Sequence, residues 1–113
     1  MQHVNEHELL FRKGDSGPKY FFIGPRIDWG VLVLKHGETL GGHYHNEVEE
    51  TFYFPEGGPV ITINGQDIPV KDGDVFRLEP HDKHDICNVS GKPVKIIFIK
   101  CPSNPKDKVN FDQ

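Results

Sequence analysis

His43 and His45 are separated by a single residue in the segment GGHYHNEVEE. In an extended chain that spacing puts both imidazoles on one face, roughly 6.5 to 7 Å apart along the strand. Two such rings can close on one ion. Glu50 follows and opens TFYF, and alternation from there groups Glu50, Phe52 and Phe54 on one face against Thr51 and Tyr53 on the other. A carboxylate beside two phenylalanines does not point inward without a partner, because an unpaired buried charge is either costly or protonated. A metal ion removes that penalty. His84, in EPHDKHDICN, heads a further alternating stretch that sets His84, Ile86 and Asn88 against Asp85 and Cys87. Three imidazoles and one carboxylate make a nitrogen and oxygen site for one first-row divalent ion, and the lack of sulfur speaks against a structural zinc knot. A plainer reading stands beside this one. An H-x-H pair occurs in many proteins that bind no metal, and Glu47, Glu49 and Glu50 read equally as a solvated acidic edge. His3, His7 and His36 carry no pattern and are expected at the surface.

Positioning such residues is work for strands. Proline and glycine punctuate the chain every eight to twelve residues, and the segments between them are short and rich in β-branched and aromatic residues. They run Tyr20 to Ile23, Val31 to Leu34, Thr51 to Phe54, Val60 to Ile63, Asp67 to Val70, Val75 to Leu78 and Val94 to Ile99. No stretch sustains a helical period free of Gly or Pro, so helix is expected only as a turn near either end. The expectation is an all-β fold. Asn64-Gly65 predicts a type I′ hairpin, since both residues can take the positive φ that this turn demands. Short antiparallel strands must hide their edges by closing into a barrel or by packing sheet on sheet. Closure brings every second residue of neighbouring strands toward one point.

Composition bounds what the chain can be. Its 113 residues allow one core, and 17 acidic against 13 basic side chains give a net charge of −4 without a basic block that could follow a phosphate backbone. Nucleic acid is not an expected partner. No apolar run approaches the roughly 18 residues of a membrane span, and the N-terminus, MQHVNEHELLF, has acids where a signal peptide needs basic residues. A soluble, cytoplasmic protein with no membrane partner is expected. Cys87 and Cys101 form no C-x-x-C pair and are expected to be free thiols outside the site.

The glycines around the histidines carry a resemblance. Gly37 to Gly57 reads G-ETLGG-H-Y-H-NEVE-E-TFYFPE-G, which resembles the first motif of the cupin superfamily at every fixed position. The second motif falls on Gly73 to Asn88, matched at Gly73, His84 and Asn88, with Glu79 where proline is usual and His81 where glycine is usual. The resemblance implies a single cupin domain over residues 1–113, a double-stranded β-helix or jelly-roll barrel with its core at about 20–101, an N-terminal arm at 1–19 and a C-terminal tail at 102–113. It implies His43, His45, Glu50 and His84 as metal ligands, with Glu49 as the spare carboxylate and Asn88 as a structural residue. The ion would be iron, manganese, nickel, zinc, cobalt or copper. Family members include dioxygenases, decarboxylases, isomerases and sugar-binding or sensing modules, so fold does not give function.

From the residues, a divalent ion in an apolar funnel of Phe52, Phe54, Ile86 and Phe76 would polarise a carbonyl or enol oxygen, activate water or bind dioxygen. Small, oxygen-rich anions are the expected ligands. Arg77 and His81 are candidates for meeting such an anion or moving a proton, or are simply an exposed strand residue and a turn residue. A metalloenzyme, dioxygenase-like before isomerase, is the leading expectation, and a non-catalytic, sugar-like binding module the alternative. Leu9, Leu10 and Phe11, apolar and without an obvious partner, point to a homodimer or to a segment that covers its own barrel.

Overall fold

The computed structural model describes residues 1–111. The strands are β1 (Gly17–Ile23), β2 (Asp28–Leu34), β3 (His43–His45), β4 (Glu49–Tyr53), β5 (Pro59–Ile63), β6 (Gln66–Pro69), β7 (Val75–Leu78), β8 (His84–Asn88), β9 (Val94–Cys101) and β10 (Lys108–Asn110). They form two five-stranded sheets, in the orders β1-β2-β9-β4-β7 and β10-β3-β8-β5-β6, and every pairing is antiparallel. The fold is all-β. Among the described residues helix is confined to one 3₁₀ turn at Glu6–Glu8.

Alternation decides which side chains enter. Leu32 and Leu34 of β2, Val94, Ile96 and Phe98 of β9, and Phe52 of β4 meet Ile61 and Ile86 from the other sheet in one buried cluster. Each such side chain contributes roughly 1.5 to 3 kcal/mol on leaving water. The expected Asn64-Gly65 turn is present: φ is 49° at Asn64 and 83° at Gly65, and Ile63 pairs with Gln66 across it.

Strand ends differ from the expectation because pairing extends past the apolar residues. β2 starts at Asp28, β4 at Glu49, and β9 runs on to Cys101. β1 carries a bulge between Tyr20 and Phe22, where Tyr20 is opposite Gly30 and Phe22 opposite Trp29. Gly30 is required there, since a Cβ would lie 2.1 Å from the Lys19 carbonyl oxygen. Bulges re-aim side chains.

Both termini pack against the sheets. The tail after Pro102 joins the second sheet: Lys108–Asn110 pairs with His43–His45 as an added edge strand, and the Asp107 carboxylate accepts the Glu47 and Val48 N–H groups at 2.7 and 2.9 Å. β3 would otherwise expose an open edge, which explains the tail's course. Residues 112 and 113 of the expected tail lie outside the described residues. The end of the N-terminal arm opens edge strand β1 at Gly17, and the segment before it forms no strand; Lys19 is buried and donates to the Glu6 carbonyl at 2.8 Å, with its ammonium 4.0 Å from the Phe11 ring centroid. Leu9 and Phe11 are half-buried, whereas Leu10 is 84% exposed.

Candidate metal centre

β3 and β8 are neighbours in one sheet, with His43 directly opposite His84. Two residues further along β3, alternation skips Tyr44 and presents His45 on the same inner face. β4 belongs to the facing sheet and supplies Glu50 from across the barrel. Atoms of His43, His45, Glu50 and His84 suited to metal ligation all lie within 4.8 Å of one another, and all four residues are buried. One carboxylate oxygen, Glu50 Oε1, is 3.1 Å from His45 Nε2, 3.2 Å from His84 Nε2 and 3.5 Å from His43 Nε2.

Backbone contacts fix how the rings present themselves. His43 Nδ1 is 2.9 Å from the Gly41 carbonyl oxygen, and His84 Nδ1 is 2.8 Å from that of Asp82. A carbonyl only accepts, so each ring donates there, and a neutral ring with its proton on Nδ1 turns a lone pair toward Glu50. Lone pairs on Nε2 facing a carboxylate oxygen repel it. Protonated imidazoles, which burial opposes, or a cation between rings and carboxylate would relieve that repulsion. Burial in fact pulls His43 below the usual imidazole range despite Glu50 beside it. Burial alone would raise Glu50, but the hydrogen bonds it accepts when His43, His45 and His84 carry protons on Nε2 outweigh burial and hold the carboxyl well below the usual range. His45 Nδ1 is buried with no hydrogen-bond partner, a cost that coordination at the same ring would offset. The donor set, three imidazole nitrogens and a carboxylate, fits a divalent transition-metal ion.

The other candidates lie elsewhere. Glu49 is on the opposite alternation, paired with Cys101, and is absent from the cluster. The structure does not bring Arg77 to it: the side chain is 68% exposed, 3.6 Å from Glu79. His81 is exposed, and its N–H donates to the His45 carbonyl at 2.7 Å. Its φ of 74° is left-handed, which accounts for the glycine usual at this motif position. Tyr53 is 40% exposed and Tyr44 half-buried. Asn88 is structural: its amide donates to the Leu34 and Lys92 carbonyls, both at 2.8 Å, and its oxygen accepts from Ser90. Cys87 and Cys101 are free thiols outside the cluster.

A cavity of about 370 Å³ adjoins the cluster. Phe52 lines it as expected, but Phe54, Phe76 and Ile86 do not. Phe54 and Ile86 are completely buried in the core, and Phe76 stacks edge-on against Phe54 at 5.8 Å. Their places are taken by Leu32, Leu34 and Phe98. Lys100 and Tyr20, which no sequence motif singles out, also line this cavity and bond to each other, Lys100 Nζ donating to Tyr20 Oη at 2.8 Å. A signal existed for Lys100, since it continues the inward alternation Val94, Ile96, Phe98. Burial disfavours its ammonium, yet Glu50 and Tyr20 outweigh that and raise it above the usual lysine value. Lys108, on β10, is lowered by burial and then by repulsion from Lys100.

Known proteins share this architecture. A structure of an uncharacterised conserved protein with a double-stranded β-helix domain from Klebsiella pneumoniae superposes with a TM-score of 0.83 at 17% identity, covering 100% of this chain and 99% of its own. An uncharacterised protein of Methanocaldococcus jannaschii, MJ1618, is 33% identical over 81 residues, spanning 72% of this chain and 65% of that protein. A 3-hydroxyanthranilate 3,4-dioxygenase of Jannaschia sp. is 27% identical over 114 residues, spanning 96% of this chain and 61% of the dioxygenase. The chain spans 50% to 65% of the length of the curated relatives it matches. The cupin domain model matches residues 30–100, which hold the inward-facing histidines, the glutamate and the two sheets' central strands. By fold, by motif and by that match, the chain belongs to the cupin domain family.

Proposed function

We propose that the chain is a mononuclear metalloenzyme in which His43, His45, Glu50 and His84 hold one divalent transition-metal ion, iron, manganese, nickel, zinc, cobalt or copper, and which acts on a small oxygenated metabolite. Dioxygenase-type chemistry is favoured over isomerisation, in keeping with the relative named as a dioxygenase. The observation that carries the reading is the convergence of three imidazole Nε2 atoms on one buried carboxylate oxygen. The ion, when bound, supplies Lewis acidity or a site for oxygen chemistry. The chain supplies the rest. The Gly41 and Asp82 carbonyls hold two rings in the ligating tautomer, and Phe52, Phe98 and Leu32 give the cavity an apolar side. A cytoplasmic homodimer belongs to the same reading, supported by the two free thiols and by the exposed Leu10 beside half-buried Leu9 and Phe11.

A non-catalytic module for a small, sugar-like molecule is the second reading. It is favoured by Tyr20, Thr39 and Asn104, which bring uncharged polar groups to the cavity wall beside its apolar side. Oxygen uptake and product analysis on metal-loaded protein with small enols, keto acids and thiols decides between them. Turnover that disappears in His84→Ala supports the enzyme; saturable binding without turnover supports the module.

A further inference from the structure

The wall of the cavity is divided in its chemistry. Leu32, Leu34, Phe52 and Phe98 form an apolar side, while Arg12, Lys13, Lys100 and Lys108 bring four cations. Against them stand Asp28 and Glu50, which are committed. Asp28 Oδ1 accepts the Gly24 N–H at 2.7 Å and the Ser103 hydroxyl at 2.6 Å, and Glu50 faces the three imidazoles. Lys13 is drawn toward Glu38, 3.9 Å away.

Lys100 is placed differently from the rest. In the register of the first sheet it stands opposite Glu50 on β4 and opposite Asp28 on β2, so it shares their inward face. Its ammonium lies 5.4 Å from the Tyr20 ring centroid and 5.6 Å from that of Phe98. An ammonium has three donors, and the Tyr20 hydroxyl takes one. A half-buried ammonium among aromatic rings gains from a further acceptor, and a ligand in the cavity can bring one.

We propose that the cavity takes a small organic carboxylate with an apolar body, its carboxylate held by Lys100 and its body against Leu32, Leu34, Phe52 and Phe98. The proposal builds on the metal-site reading, which would place a second ligand oxygen at the histidine cluster. A volume of about 370 Å³ suits a compact, ring-sized molecule. One deep ammonium matches the single charge of a carboxylate, whereas a phosphate ester carries nearly two and calls for more donors at depth. Arg12 and Lys108, whose residues are exposed, add positive potential that favours entry of an anion.

The test uses benzoate and its neutral isostere benzamide in calorimetric titrations of the wild-type chain, with inorganic phosphate as a third probe. Each is run on chelator-treated protein and on protein whose metal content has been measured. Benzoate is expected to bind at least about tenfold tighter than benzamide or phosphate in both forms, the size of a charge-assisted hydrogen bond. Lys100→Met is expected to erase that preference, and Lys100→Arg to keep most of it. Equal binding of benzoate and benzamide, tighter binding of phosphate, or an undiminished preference in a folded Lys100→Met protein overturns the proposal. The wild-type comparison decides even where Lys100→Met fails to fold. A preference that persists in protein shown to bind no metal supports the role of Lys100 while the metal reading fails separately.

Discussion

Two pairs of opposite charge sit on opposite faces of one five-stranded sheet. Glu50 and Lys100 are cross-strand neighbours on the inner face, whereas Arg77 and Glu79 lie 3.6 Å apart at the outer end of β7 with more than half of each side chain in water. Water screens the outer pair, so its contribution is small and neither partner demands anything of its surroundings. The inner pair has no such relief. Glu50 is surrounded by imidazoles and Lys100 by aromatic rings, and each charge must find specific partners or lose its proton balance. A charge that the fold keeps inside at such cost is a better pointer to chemistry than one that merely lies near a motif.

The largest expected effect is on metal-dependent stability. Zinc at a hundredfold excess over its dissociation constant raises the stability of wild-type protein by about 2.7 kcal/mol, and this gain disappears in His45→Ala and His84→Ala when melting is followed with and without the ion. Next, Glu50→Gln weakens metal affinity at least about tenfold while Glu49→Gln does little. The reverse ranking in a competition titration would mean that the register of β4 is off by one residue. A third effect is on pH dependence in chelator-treated protein. His43 and Glu50 are both held below their ordinary values, so each binds more protons unfolded than folded, and stability rises with pH across that interval. The melting temperature therefore falls as pH drops below about 6.5, and falls again below about 4.3, where the unfolded chain's glutamate takes up a proton that folded Glu50 still refuses. A rise on acidification would contradict it. The smallest effects belong to the outer face and the thiols: Arg77→Met shifts stability by less than about 0.5 kcal/mol, and Cys87→Ser with Cys101→Ser leaves metal content unchanged.

Much of this inner face was legible in the sequence because strand alternation is strict. His43, His45, Glu50, Phe52, Phe54, His84 and Asn88 all lie buried as their spacing requires. Lys100 obeys the same rule, yet a lysine at the end of an apolar strand also reads as a residue emerging into solvent. Its inward position depends on β9 continuing beside β4 and β2. Tyr20 reaches the cavity wall from a bulged strand whose irregularity no alternation encodes. Arg77 lay near the second motif in sequence but on the outward side of β7, where Leu78 and not Arg77 turns inward. The pairing of Lys108–Asn110 with β3 joins segments more than sixty residues apart, and a three-residue polar strand leaves no local pattern to find.

The central claim, one ion held by the four converging side chains, is tested most directly by titrating cobalt(II) into chelator-treated protein and counting bound metal per chain. The account predicts one tightly held ion per wild-type chain, an absorption spectrum of nitrogen and oxygen ligands without a thiolate charge-transfer band, and no such ion in His84→Ala. Equal cobalt content in the wild type and a folded His84→Ala variant would contradict it.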